Sequence, residues 1–159
     1  MDSALVDTSF LISLVDPRRP HHQTARRYYQ ECIRRRVPML LSTVVISEFH
    51  VKEPITDLEL RNFLVLPFNI DDAMTCGDLA REFPRDAADD RTRVKDDLKI
   101  IAQACVNDAT CVFTEDENTL AKYLRRLRDK DPSAPRVVLL KDQFVEAWFN
   151  DGQMSIDGE

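Results

Sequence analysis

Residues 4–16 read ALVDTSFLISLVD. The apolar run Ala4-Leu5-Val6 closes on Asp7 and predicts a short strand over 4–7. TSFLISLVD then predicts a helix with Asp7 or Thr8 as its cap. The alternation continues outward. HHQTARRYYQECIRRR carries Ala25, Tyr28, Tyr29, Cys32 and Ile33 at helical spacing, and it ends in Arg34 to Arg36, where the dipole favours cations. PMLLS (38–42) reads as a second strand, and the helix after it, capped by Ser42 or Thr43, carries Glu48. Pro54 ends that helix, and DLELRNF adds a helical turn or two. VLPFNI (65–70) reads as an edge strand, since Pro67 cannot donate to a ladder, and DDAMTCGDLAREF as a helix with acids at its start. PRDAADDRTRV (84–94) is rich in turn-formers, lacks a period and reads as an exposed loop. Beyond it come a helix from Asp97 to Asn107, a buried strand TCVFT (110–114), a surface helix ENTLAKYLRRLRDK and a strand RVVLL (136–140). QFVEAWFN then closes the core, with Trp148 as its anchor. Strands interleave with helices, which predicts an α/β fold.

At 159 residues and 43% apolar, the chain supports one domain with a real core, expected over 1–150, followed by a polar tail over 151–159. No apolar run approaches the ~20 residues of a membrane span. The N-terminus enters a strand-like segment with no basic region, so neither a membrane protein nor a signal peptide is expected. Cys32, Cys76, Cys105 and Cys111 show no CxxC pair or finger spacing. Cys105 and Cys111 lie in apolar stretches and read as buried thiols, which fits a reducing cytoplasm. The net charge of -6 at first disfavours a nucleic-acid partner. An acidic metal site would inflate that negative count, however, and a bound cation would reverse its sign locally.

Four carboxylates fall where the chain is expected to turn back on itself: Asp7, Glu48, Asp97 and Asp116. If the strands are parallel, their C-terminal ends share the edge where open α/β sheets place ligands. A helix followed by a strand runs out and back, so Asp97, at an expected helix start, lies beside Asp116, just past the next strand. Glu48 is set back along its helix by about 1.5 Å per residue. Its longer side chain tilts toward the helix N-terminus and can reach back. Two like charges about 4 Å apart repel by roughly 4 kcal/mol at an effective dielectric near 20. A cluster of four needs a reason, and the commonest is a hard divalent cation. Singly, each acid has an ordinary role. Asp7 can cap a helix, Glu48 can be solvated, and Asp97 can be a first-turn acid interchangeable with Asp96. Asp116 can be a turn residue, with Glu115 or Glu117 replacing it as a ligand.

LVDTSFL, SEF, DLKIIAQACV and VFTED, in this order and spacing, resemble the PIN-domain nucleases from about Leu5 to Leu140. The resemblance implies a three-layer α/β/α fold around a central, mainly parallel sheet of four to five strands. It also implies acids that bind Mg²⁺ or Mn²⁺ and hydrolyse phosphodiester bonds, usually in RNA. By position, Asp7, Glu48, Asp97 and Asp116 match the family's acidic quartet, and Ser9 and Thr114 match hydroxyls that support the metal or its water. Asp96 shifts the third position by one residue; Asp97 is preferred because Ile100, Ile101 and Ala104 then fall on the apolar helix face. In size the chain is similar to VapC-type toxins, single PIN domains paired with an antitoxin, though the 84–94 loop and the tail make it longer. The implied partners are an RNA substrate, a cognate antitoxin and a second copy in a homodimer. Tyr28, Tyr29, Ile33 and the helix from Asp72 are the expected partner surface. A housekeeping RNA-processing enzyme and an inactive protein-binding module are the alternatives.

Other classes fit less well. A haloacid-dehalogenase phosphatase needs a second Asp where Ser9 stands. A receiver domain needs an acidic pair after its first strand, and Asp7 stands alone in its motif. With only Gly77, Gly152 and Gly158 there is no glycine-rich phosphate loop. His21 and His22 read as capping or surface residues.

Overall fold

The computed structural model describes residues 1–150. The tail expected over 151–159 lies outside the described residues. Five strands, β1 (Ala4–Val6), β2 (Met39–Ser42), β3 (Leu64–Leu66), β4 (Cys111–Thr114) and β5 (Arg136–Leu139), form one all-parallel sheet in the order β3-β2-β1-β4-β5. Six helices connect them: α1 (Thr8–Val15), α2 (His22–Arg35), α3 (Thr43–Lys52), α4 (Ile70–Glu82), α5 (Arg91–Val106) and α6 (Leu120–Lys130). Right-handed crossovers place α1–α3 on one face and α4–α6 on the other, a three-layer α/β/α arrangement. A sheet covered on both faces needs continuous apolar strands, and β1, β2 and β4 are buried at every position. The strand order reverses between β1 and β4, so their C-terminal ends form the topological switch point.

β3 is the expected edge strand, but it ends at Leu66 and Pro67 lies beyond it. A buried polar network ties this edge to the core. Gln103, fully buried on α5, accepts from the Ser42 hydroxyl and donates to the carbonyls of Leu66 (3.4 Å) and Pro67 (3.2 Å) and to Asp72 Oδ2 (3.3 Å). Asp72 in turn accepts from Asn69 N at 2.8 Å, completing a capping box at the start of α4. Gln103→Leu is expected to lower unfolding free energy in urea by about 3 kcal/mol, because each buried group left without a partner costs roughly 1–3 kcal/mol. A loss below about 0.5 kcal/mol would show that the network contributes nothing.

Three expectations are corrected. The stretch 84–94 is not all loop: Asp90 caps α5 by accepting from Arg93 N at 2.8 Å, and the helix starts at Arg91. Asp97 therefore sits well inside α5 rather than at its start. The remaining loop is held rather than free. Arg126 makes two bonds to Asp86 (3.1 and 2.6 Å), and Lys122 pairs with Asp86 and Asp89. Those partners, Arg126 first, pull the Asp86 carboxyl down to about 2. Second, the large anchor near the C-terminus is Tyr28 rather than Trp148. Tyr28 is fully buried, with its ring 4.9 Å from both Phe113 and Phe144 and its hydroxyl 3.1 Å from Val145 N, whereas Trp148 is only partly buried. The same burial removes Tyr28 from any partner surface. Third, Cys111 and Cys32 are the buried thiols, and Cys105 is only partly covered; all four cysteines are free.

Candidate active site

Asp7 follows β1 at the switch point and caps α1, accepting from Ser9 N at 3.3 Å. Its Oδ2 also accepts from Ser9 Oγ (2.6 Å) and from Thr114 Oγ1 (2.8 Å), at the end of β4. Burial raises the Asp7 carboxyl above its ordinary value against the opposing pull of these bonds. Thr114 Oγ1 also accepts from Asp116 N at 2.8 Å and lies 3.2 Å from Ser9 Oγ. One hydroxyl thus joins the two strand ends and the two acids that follow them.

Asp116 keeps the turn role expected of it: Oδ1 accepts from Asn118 N (2.9 Å) and Thr119 N (2.8 Å), and Oδ2 from Thr119 Oγ1 (2.8 Å). Glu48 reaches back from α3 to accept from Thr8 Oγ1 at 2.5 Å. Burial raises its carboxyl, and repulsion from Asp7 and Asp96 adds to the rise. Asp97 is the extreme case. Burial first, then the charges of Asp7, Asp116 and Glu48, push it up to about 8 against the Thr119 hydroxyl. It is 7% exposed, and its Oδ2 has no hydrogen-bond partner. The four acids share one open cleft of about 840 Å³.

The alternative acids are committed elsewhere. Asp96 pairs with Lys99 at 2.8 Å, Glu115 with Arg19 at 2.7 Å and with the Ser13 hydroxyl, and Glu117 with Lys141. His22 is buried, contrary to the surface reading, with Nδ1 2.8 Å from the Ser13 carbonyl oxygen. Two hydroxyl contributors, Thr8 on Glu48 and Thr119 on Asp116, were not expected as part of the site. The spacing Asp-x-x-Thr at 116–119 was the available signal for Thr119, whereas Thr8 lies 40 residues from Glu48 and no local spacing announces that pair.

A model of the PIN domain family matches residues 4–126. The chain belongs to the PIN domain family. Solved structures similar to this PIN domain include a toxin–antitoxin complex from Klebsiella pneumoniae, at 21% identity and TM-score 0.57, covering 87% of this chain and 98% of that one. VapBC2 from Rickettsia felis, bound to a DNA fragment from its promoter, is 12% identical with TM-score 0.60, covering 86% and 97%. VapC20 from Mycobacterium tuberculosis, described as a sarcin-ricin loop cleaving toxin, is 19% identical with TM-score 0.55, covering 73% and 92%. At these identities the likeness establishes the fold. A search of curated protein sequences gives no match.

Among the described residues, no three His, Cys, Asp or Glu side chains stand close enough together to form a ready metal-ligand set. The donor chemistry still suits a hard cation. Mg²⁺ keeps several waters and takes one or two carboxylates directly, and Asp97 offers a buried oxygen with nothing else bound to it.

Proposed function

We propose that this PIN domain is a Mg²⁺- or Mn²⁺-dependent endoribonuclease and the toxin of a toxin–antitoxin pair, working in the cytoplasm. The observation that carries the reading is Asp97. A buried carboxylate with an unpartnered oxygen, repelled by Asp7, Asp116 and Glu48 at the switch point, is costly unless a cation completes it. Asp7 and Asp97 would hold the ion, with Asp116 beside them. When bound, such a metal lowers the pKa of a coordinated water and neutralises charge on a phosphorane-like transition state.

The chain's own residues do the rest. Ser9 and Thr114 fix the rotamer of Asp7 by donating to a single oxygen, Oδ2. Glu48, oriented by Thr8, is placed to accept a proton from the attacking water, and burial, which raises its carboxyl, makes it a stronger base than an exposed glutamate. The toxin assignment draws on the toxin–antitoxin complexes among the similar structures. The RNA assignment draws on the sarcin-ricin loop cleaving toxin. An antitoxin or a second copy would cover exposed apolar side chains such as Leu64, Val65, Ile70 and Met74 along β3 and α4. No described helix is long and apolar enough to cross a membrane.

Purified protein incubated with mixed RNA is expected to cut it with Mg²⁺ or Mn²⁺ and to stop when chelator is added. Cleavage that survives chelation would remove the metal mechanism. Purification from the native host without any small co-purifying protein would favour the housekeeping reading, and absence of cleavage under every metal would favour the inactive module.

A further inference from the structure

A polyanionic strand cannot approach a cleft lined mainly by carboxylates unless cations offset them. Three basic side chains line this one: Arg19, Lys52 and Arg93. Arg19 is committed to Glu115 at 2.7 Å. Lys52 and Arg93 are exposed, and neither side chain has a described hydrogen bond or ion pair. Their positions repeat one pattern on two walls. Lys52 lies four residues after Glu48 on α3, and Arg93 four residues before Asp97 on α5, so each cation shares a helix face with one acid of the quartet. Arg93 is also misplaced for the helix alone. The first turn of α5 holds Arg91 and Arg93 and no acid, the reverse of what the dipole favours.

We propose that Lys52 and Arg93 form a two-sided phosphate clamp that seats a single RNA strand across the acidic cleft, each binding a phosphate beside the one cut. This inference rests on the nuclease reading for its choice of RNA, but its test reads binding rather than cleavage. In the clamp, Arg93 contributes a planar fork suited to phosphate and Lys52 a mobile point charge. Both are positioning residues, so they hold the strand in register while the quartet acts.

The test measures fluorescence anisotropy of a labelled, mixed-sequence single-stranded RNA in Mg²⁺, on an Asp97→Asn background that keeps the RNA intact. Each phosphate contact with a single strand contributes about 0.7 to the slope of log K against log salt. Adding Lys52→Gln and Arg93→Gln should therefore make the slope shallower by about 1.4 and weaken binding roughly 25-fold at 0.1 M salt. Lys52→Arg with Arg93→Lys should keep the parental slope. Arg125→Gln, an exposed cation on α6 outside the cleft, should change neither quantity. In the otherwise native chain, the Gln pair should raise KM with little change in kcat. A Gln pair that binds RNA with the parental affinity and slope overturns the clamp, while metal-dependent cleavage by the native chain leaves the nuclease reading intact. If the native chain fails to cut RNA but the Gln pair loses binding, the clamp stands and the nuclease reading falls.

Discussion

Asp97→Asn is expected to abolish RNA cleavage and, in chelator at pH 8, to raise the melting temperature. The sign follows from the direction of the shift. Burial, with Asp7, Asp116 and Glu48 around it, lifts the Asp97 carboxyl from 3.8 to about 8, so the folded protein holds a proton there that the unfolded chain releases. The resulting stabilisation is fully present below pH 3.8 and is lost as pH rises toward 8. One unit is worth about 1.36 kcal/mol, so the window carries about 6 kcal/mol at most. Asn cannot ionise and loses none of it. The variant and the native chain should melt together only below about pH 3.8, and the gap should widen from pH 5 to pH 8, with the variant higher by several degrees at least, since 1 kcal/mol moves a domain of this size by about 2–4 °C. Mg²⁺ should restore the native chain at pH 8 by mass action, by about 2.7 kcal/mol at a hundredfold excess over Kd, and should do much less for the variant. A native melting temperature that stays flat from pH 5 to 8 in chelator, or a variant that melts lower at pH 8, would return Asp97 to an ordinary helix position.

The sheet was legible because parallel strands buried on both faces must be written as short continuous apolar runs. ALV, MLLS and CVFT each end at or next to a polar group that the fold then uses. The convergence of Asp7 and Asp116 was legible for the same reason, since both follow strands that meet at the switch point. Asp97 reaches the cleft from inside α5 rather than from its start. Its helix begins at Arg91, and the run of Asp, Ala and Arg before Val94 hid the Asp90 cap among other turn-formers. Because α5 is so much longer than β4, its first two turns overshoot the sheet edge and form a wall of the cleft, which brings Asp97 level with the strand ends. Tyr28 and Trp148 could not be ranked from sequence, because which aromatic fills the gap beside β4 depends on where the C-terminal segment returns. The commitment of Glu115 to Arg19 was likewise out of reach, whereas that of Asp96 to Lys99 was not. Only the first involves distant residues; the second sits at i,i+3 spacing and could have been read.

Thr114→Val should show how far the hydroxyls hold the acids. Valine keeps the volume but not the hydroxyl, so the change is not conservative here. It removes the donor to Asp7 Oδ2 and the acceptor of Asp116 N at one stroke, and it leaves Ser9 Oγ without its neighbour at 3.2 Å. Loss of such an orienting partner costs about 10–100-fold in metal affinity or activity in other metal sites, and the same range is expected in the Mg²⁺ dependence of cleavage. Stability should fall by about 1–3 kcal/mol, because the Asp116 N–H loses its acceptor. Ser9→Ala should cost less activity, since Thr114 still holds Asp7. The double variant should exceed the sum of the two effects, because either hydroxyl alone still holds the one oxygen. If instead Thr114→Val lowers stability but leaves kcat and the Mg²⁺ requirement at native values, the hydroxyl is a lock on the turn after β4. Asp7 must then be oriented by Ser9 and the α1 backbone.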